Sequence, residues 1–308
     1  MQQVEMTLFA EDLAFPEGPV VLEDGSLMIC EIKSQSVTRI TADGQKTVLA
    51  QLHGAPNGAA FGPDGRLWVC DNGRFSWIRE GDWDAPAAET RDYTGGGIIA
   101  LDLDTGIVEE VYRECDGRPL LGPNDIVFDK FGGFYFTDHG KRRARDLDCG
   151  ALYYAKADGS EIKEVAFPLT TPNGVGLSPD GKLVYVAETD TGHLLSWAIR
   201  DPGVVVQESR RGPAGSSVVH ALKQYQLCDS LAIEANGYIC IASLISGGIS
   251  VISAEGDLVE FHPVPVDDSF VTNICFGGPD NRTAYITSSG TGRVYSAIWP
   301  RPGLPLAH

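Results

Sequence analysis

Apolar and polar residues alternate along this chain in short runs, and the runs come in pairs split by a tight turn. Six such pairs line up: PEGPVVLEDGSLMICE from Pro16, PNGAAFGPDGRLWVCD from Pro56, PNDIVFDKFGGFYFTD from Pro123, PNGVGLSPDGKLVYVAE from Pro172, CDSLAIEANGYICIAS from Cys228 and TNICFGGPDNRTAYITS from Thr272. Each has a lead residue, an apolar strand, a turn and a second apolar strand. The turns are Asp24-Gly25, Asp64-Gly65, Gly132-Gly133, Asp180-Gly181, Asn236-Gly237 and Asp280-Asn281. Asp-Gly or Asn-Gly between alternating hydrophobics predicts a two-residue hairpin of type I′, with positive φ at both central residues. Two weaker strands follow each hairpin, for example Ser36–Ala42 with Lys46–Leu52, and His193–Ile199 with Val204–Ser209.

Four strands per unit, repeated six times, predict an all-β fold: a six-bladed β-propeller of four-stranded blades, one domain over residues 1–308. After the sixth hairpin only one further strand fits, Arg293–Trp299. The N-terminal run Val4–Ala10 is therefore expected to complete that blade and close the ring. No segment keeps a 3.6-residue period for three turns, so no helix is expected. In a four-stranded meander, the loops between strands two and three and between blades share one face. That face receives the long segments Gly73–Gly95, Glu114–Pro123, His139–Gly150 and Arg210–Leu227, and long loops on a rigid scaffold are where binding chemistry concentrates.

Composition supports this reading and narrows the partners. The chain has 36 glycines and 18 prolines among 308 residues, above the roughly 12% that average usage supplies for the two together. Its 42 acids against 24 basic residues give a formal charge of −18. No basic stripe is left to neutralise phosphates, which argues against nucleic acid. No run of eighteen apolar residues encodes a membrane span. Residues Met1 to Asp12 carry Glu5, Glu11 and Asp12 and no basic region ahead of an apolar one, unlike a secretory signal. The seven cysteines fall in no paired spacing and form no CxxC. They read as reduced core thiols of a cytoplasmic protein.

Chemistry is placed by the lead residues. Glu17, Asn57, Asn124, Asn173, Asp229 and Asn273 begin the six innermost strands and surround the channel at the long-loop face. Carboxylates and amide oxygens without His or Cys are hard ligands, suited to a divalent cation. Ca²⁺ is the preferred ion, with Zn²⁺, Mg²⁺, Mn²⁺ or Fe²⁺ also accommodated. The competing reading is that Asn and Asp before Gly are ordinary turn residues; Glu17, in Pro-Glu-Gly-Pro, fits that reading least well.

The motifs carry a resemblance. Phe15-Pro16-Glu17-Gly18-Pro19, Asn124-Asp125 with Gly132-Gly133-Phe134-Tyr135-Phe136-Thr137-Asp138, Pro172-Asn173-Gly174, Cys228-Asp229-Ser230 and Cys275-Phe276-Gly277-Gly278 are similar to the senescence marker protein (regucalcin)/gluconolactonase family. The resemblance implies a six-bladed propeller with one divalent cation on its axis, ligated by Glu17, Asn173 and Asp229. It implies that Asn124 lies beside the ion, touching substrate or a bound water, and that Asp229 is the general base. Regucalcin-like members carry an Arg near the third lead position that holds sugar hydroxyls. Here the stretch reads Arg118-Pro119-Leu120-Leu121-Gly122-Pro123, which leaves the sugar character of the substrate open. The activity implied is hydrolysis of a small lactone. The cation would polarise the carbonyl and acidify water, and Asp229 would move the proton to the ring oxygen. No Gly-x-Ser-x-Gly elbow supports a serine hydrolase.

Around the channel, His139, His220 and His53 are candidate substrate contacts on the long-loop face, as is the lead residue Asn57. Trp77, Trp83 and Tyr93 either wall the channel or hold the 73–95 insertion against its blade. Lys141, Arg142, Arg143 and Arg145 form the one basic cluster, either an attractor for an anion or a solvated loop face. Two other functions remain compatible: isomerase or dehydratase chemistry with Asp229 as base, and a non-catalytic propeller that binds a ligand.

Overall fold

A computed structural model describes residues 3–87, 90, 93–208 and 212–308. Ser209 and Arg210, at the ends of two segments singled out above, lie outside the described residues. Six antiparallel sheets make a closed ring of blades. Blade 1 comprises Pro16–Val21, Leu27–Glu31, Ser36–Ile40 and Lys46–Gln51; blade 2, Pro56–Phe61, Leu67–Asp71, Gly97–Leu101 and Val108–Tyr112. Blade 3 is Pro123–Phe128, Gly133–Asp138, Gly150–Lys156 and Ile162–Leu169. Blade 5 is Cys228–Ile233, Ile239–Ser243, Gly248–Ile252 and Leu258–Pro263. Blade 6 takes Val271–Gly277, Thr283–Ser288 and Arg293–Ile298 from the C-terminal end of the chain and Thr7–Ala10 from the other. That closing strand pairs Thr7 with Ser296 and Leu8 with Tyr295. Joining the two ends of the chain in one sheet removes an exposed sheet edge.

Blade 4 departs from the expected pattern. Its inner strands are Pro172–Leu177 and Leu183–Glu188, and its third, His193–Asp201, is long enough to hold two partners. Val204–Val206 pairs with the lower half and Ser217–Ala221 with the upper half. The loop after residue 206 thus supplies a strand of its own. The 73–95 insertion also contains a hairpin, Trp77–Glu80 with Trp83–Pro86. The turn Pro213–Gly215 is the only helical element among the described residues.

The hairpin turns also differ from expectation. Gly25, Gly65, Gly132, Gly181 and Gly237 have positive φ, but Asp24, Asp64, Asp180 and Asn236 do not. Gly25 donates to the Leu22 carbonyl at 3.0 Å, and Leu22 donates to Ser26 at 2.8 Å. These are three-residue loops, a type I turn followed by one left-handed glycine. The acid before that glycine accepts the next free amide: Asp24 from Ser26 at 3.0 Å, Asp64 from Arg66 at 3.1 Å, Asp180 from Lys182 at 3.0 Å.

The apolar faces of successive blades bury one another. Trp68 of blade 2 meets Phe128 and Phe134 of blade 3 at ring separations of 5.8 and 5.3 Å. Trp197 and Trp299 fill the corresponding seams further round. Five of the seven cysteines are buried, in keeping with core thiols, whereas Cys149 is exposed. Below the lead residues the channel opens into a cavity of about 540 Å³. The C-terminal segment crosses its mouth: Gly303 donates to Asn281 at 2.7 Å, Leu304 to Ile233 at 2.8 Å, and the His308 ring sits 5.8 Å from that of Phe128.

Candidate active site

The fold brings all six lead residues to one end of the channel, each at the start of an inner strand that packs against the next round the ring. In every inner strand the pairing register slips at this point, for example between Glu17 and Val20, Pro123 and Ile126, and Cys228 and Leu231. Bulges re-aim side chains, and here six of them act on the lead residues. Glycine follows the lead residue in blades 1, 2 and 4. A Cβ on Gly18 would lie 2.2 Å from the Asn57 carbonyl oxygen, and one on Gly174 would lie 2.6 Å from the Leu231 nitrogen. Neighbouring inner strands therefore approach closely because no side chain stands between them.

Glu17, Asn57, Asn124, Asn173 and Asn273 are buried, while Asp229 is partly exposed. Glu17 accepts the Gly18 amide at 2.6 Å and the Asn273 side-chain amide at 2.8 Å through the same carboxylate oxygen. Asn173 donates to the Thr189 hydroxyl at 3.1 Å, and the Thr137 hydroxyl donates to the Asn173 carbonyl at 2.5 Å. On the blade 1 side, the Ser289 hydroxyl donates to the Pro16 carbonyl at 2.5 Å.

A third carboxylate joins the group. Asp125 is buried in the position that glycine occupies in blades 1, 2 and 4. It accepts the Ile126 amide at 2.9 Å and, across the seam, the Val175 amide at 3.1 Å. Burial, then the charge of Glu17, push its carboxyl up to about 7. Burial raises Glu17 against the hydrogen bonds it accepts, and burial together with Glu17 holds Asp229 well above the usual carboxylate range. Mutual repulsion among buried acids is what a cation relieves.

A cation's fit is supported by a second observation: Oδ1 of Asn124 is buried without a hydrogen-bond partner. An orphaned buried acceptor costs about 1–3 kcal/mol, and an amide oxygen is a hard ligand. Among the described residues no three His, Cys, Asp or Glu side chains group closely enough to hold an ion by themselves. The ligand set implied by the resemblance, two acids and the Asn173 amide, does not require such a group.

The candidate contacts outside the ring are placed differently. His139 lies at the blade 3 rim, where its amide donates to Gly122 at 2.9 Å. Burial, with the charge of Lys141, pushes its imidazole down to about 4. His220 sits in the outer strand Ser217–Ala221, its Nδ1 2.8 Å from the Gly256 carbonyl in a blade 5 turn. The structure does not bring it to the lead residues. His53 is exposed, and so is Arg118, in a two-residue strand paired with Glu114–Cys115. The aromatics of the insertion pack on the rim. Trp77 lies 5.1 Å from Phe15, Trp83 lies 5.6 Å from Phe270, and Asp84 donates its amide to Gly290 at 2.9 Å. The insertion thus reaches from blade 2 past blade 1 to blade 6.

The basic cluster is not a free field. Lys141 is buried, bonded to Asn72 and 4.0 Å from the centre of the Phe75 ring. Arg142 pairs with Asp190, and Arg143 pairs with Asp146 and, at 2.6 Å, Asp148. Asp125 escaped sequence reasoning although its motif was in view. Its signal was the glycine column from which it departs.

A six-bladed propeller with an axial set of buried oxygen donors defines the class. Residues 15–290 match the SMP-30/Gluconolactonase/LRE-like region, and the chain belongs to that family. It is 28% identical over 242 residues to the lactonase drp35 of Staphylococcus haemolyticus, covering 78% of this chain and 66%, just under two thirds, of that protein. A solved gluconolactonase of Xanthomonas campestris superposes with a TM-score of 0.76 at 22% identity, covering 96% of this chain and 90% of the other. A calcium-binding regucalcin of Agrobacterium tumefaciens superposes at 0.70 with 19% identity, covering 97% and 99%. At these identities the superpositions establish the fold.

Proposed function

We propose that the chain hydrolyses a small lactone at a divalent cation, Ca²⁺ by preference, held on the channel axis by Glu17, Asn173 and Asp229. The observation that carries this reading is the gathering of Glu17, Asp125 and Asp229 at one end of the channel, each raised by burial and Asp229 and Asp125 also by their neighbours' charge, on the same ring as the Asn124 amide oxygen, which is buried without a partner. The relatedness to a lactonase supports the reaction class.

A bound cation would supply carbonyl polarisation and acidified water at that position. The chain's own residues would do the rest. Asp229, the most accessible of the lead acids, takes the proton of the attacking water and returns it to the ring oxygen as the ester bond breaks. Glu17 stays an acceptor, fixed by Gly18 and Asn273. Asn124 presents its oxygen to substrate or water, with Asn57 beside it on the ring. His139, neutral at pH 7, offers a hydrogen bond at the rim rather than a charge.

The test is a lactone panel, sugar and non-sugar, followed by proton release with chelated and Ca²⁺-refilled protein beside Asp229→Ala. Ring opening that needs both the ion and Asp229 is expected. Opening indifferent to both, or no opening of any lactone, overturns the proposal.

A further inference from the structure

Two buried glutamates outside the lead ring repeat one arrangement. Glu31 ends the second strand of blade 1 and Glu188 the second strand of blade 4, and both are buried. Glu31 accepts the Ala14 amide at 2.7 Å and the Thr38 hydroxyl at 2.5 Å. Glu188 accepts the Thr170 amide at 2.7 Å and the Thr191 hydroxyl at 2.8 Å. In each blade the next residue, Phe15 or Thr171, is left-handed, with φ of 60° or 48°. Its carbonyl receives an amide from just past the second strand: Ile32 to Phe15 at 3.2 Å, Thr189 to Thr171 at 3.0 Å. Proline and the lead residue follow at once, Pro16-Glu17 and Pro172-Asn173.

Blades 2 and 3 carry aspartate at the same place, and their backbone differs. Asp71 accepts the amide of Ala55 itself at 2.8 Å, and Asp138 takes two amides at 2.7 Å, that of Gly122 itself and that of Leu121 before it. Neither Ala55 nor Gly122 has positive φ. Each aspartate thus bonds the residue before proline, whereas each glutamate bonds the residue before that one instead and accompanies the left-handed turn. For a bulky or β-branched residue before proline, that conformation is costly and persists only where its surroundings enforce it.

We propose that Glu31 and Glu188 are positioning residues: their paired amide and hydroxyl bonds hold the strained turns from which Glu17 and Asn173, in opposite blades, are aimed at the axis. The inference rests on the cation reading for its functional consequence but not for its geometry. Removing an outer partner of a metal ligand typically weakens ion affinity 10–100-fold.

The experiment compares Glu188→Asp and Glu188→Gln with the unaltered chain, reading Ca²⁺ affinity by calorimetry and amide hydrogen exchange over residues 170–173. Glutamine keeps the length, accepts the Thr170 amide and donates to the Thr191 oxygen, so it should stay within about threefold in both readouts. Aspartate should lose about tenfold or more in affinity and lose protection at 170–173, with exchange in the blade 1 strands unchanged. Equal behaviour of the Asp variant and the unaltered chain overturns the inference, as does a Gln variant that falls as far as Asp. If the unaltered chain takes up no Ca²⁺ while Asp alone loses protection at 170–173, the positioning role stands and the cation reading fails.

Discussion

Asn273 donates its side-chain amide to Glu17 at 2.8 Å, joining the last inner strand to the first through residues 256 positions apart. Its own oxygen is occupied by the Ile274 amide at 2.8 Å, so Asn273 faces Glu17 only as a donor. Asn273→Asp would replace that donor by a second carboxylate against a buried one. The expected cost in chelator is about 2–3 kcal/mol, the scale of a lost charged hydrogen bond plus like-charge contact. Excess Ca²⁺ should shrink the deficit, because an ion that binds only the folded state stabilises it by mass action. Urea unfolding with and without Ca²⁺ measures both. Coincident curves for variant and parent in chelator would contradict the geometry.

Trp77 is expected to matter beyond its own hairpin. Its ring packs on Phe15 from one side and Phe270 packs at 5.8 Å from another, and Phe15 is the strained residue two positions before Glu17. Trp77→Ala should lower stability by about 1–2 kcal/mol, an aromatic pair plus part of its burial, and reduce lactone kcat/KM several-fold. Ile78→Ala, next in the same strand but exposed, should do neither. Identical kinetics for the two variants would show that the insertion only covers the rim.

The blades were legible because a period of two and a turn dipeptide are local signals, and closure by the N-terminal strand followed from counting. The turn type was not legible. Two- and three-residue loops share the Asp-Gly signature, and only the φ of the residue before glycine separates them. Blade 4's second outer strand was hidden because His193–Asp201 is long enough to hold two short partners, which no pattern in Ser217–Ala221 announces. At the site, the lead residues were visible as a column of aligned oxygens. Glu31 and Glu188 were not, since each ends an ordinary strand and meets its partner amide 17 or 18 residues earlier. Asp125 reads as the start of an apolar strand until its burial against Glu17 is known.

His139 should not shape the pH profile near neutrality. Its imidazole, pushed down to about 4, is uncharged from pH 5 upward. His139→Gln, which retains a hydrogen-bonding side chain, is therefore expected to leave the form of the pH dependence of kcat/KM between pH 5 and 8 unchanged, whatever it does to the magnitude. A limb of the profile that disappears in the variant would place the His139 titration in that range.

Arg301 ties the C-terminal segment to blade 5 through two acids. It bonds Glu234, whose side chain is fully buried, at 3.0 Å and grips both oxygens of Glu260 at 2.8 and 2.9 Å. Arg301→Ala would leave Glu234 buried with the Trp299 indole, at 2.7 Å, still donating but no countercharge. Breaking such a pair from one side costs about 3–5 kcal/mol. Glu260 gives the arrangement a pH signature. Arg301, then His262 at 2.9 Å, bring its carboxyl down from 4.5 to about 2. The unfolded chain therefore takes up the proton first as pH falls. The stabilisation is fully present above about pH 4.5 and is lost between there and about pH 2. With solvent screening of a partly exposed pair allowed for, it amounts to about 1–2 kcal/mol. Unfolding the parent and Glu260→Gln in urea from pH 5 down to pH 3 reads this contribution, because the titrations of groups that do not touch Glu260 cancel in the difference. The gap should narrow as the pH falls below about 4.5. A gap that stays constant down to pH 3 would mean that the pair does not depress Glu260 in the folded state.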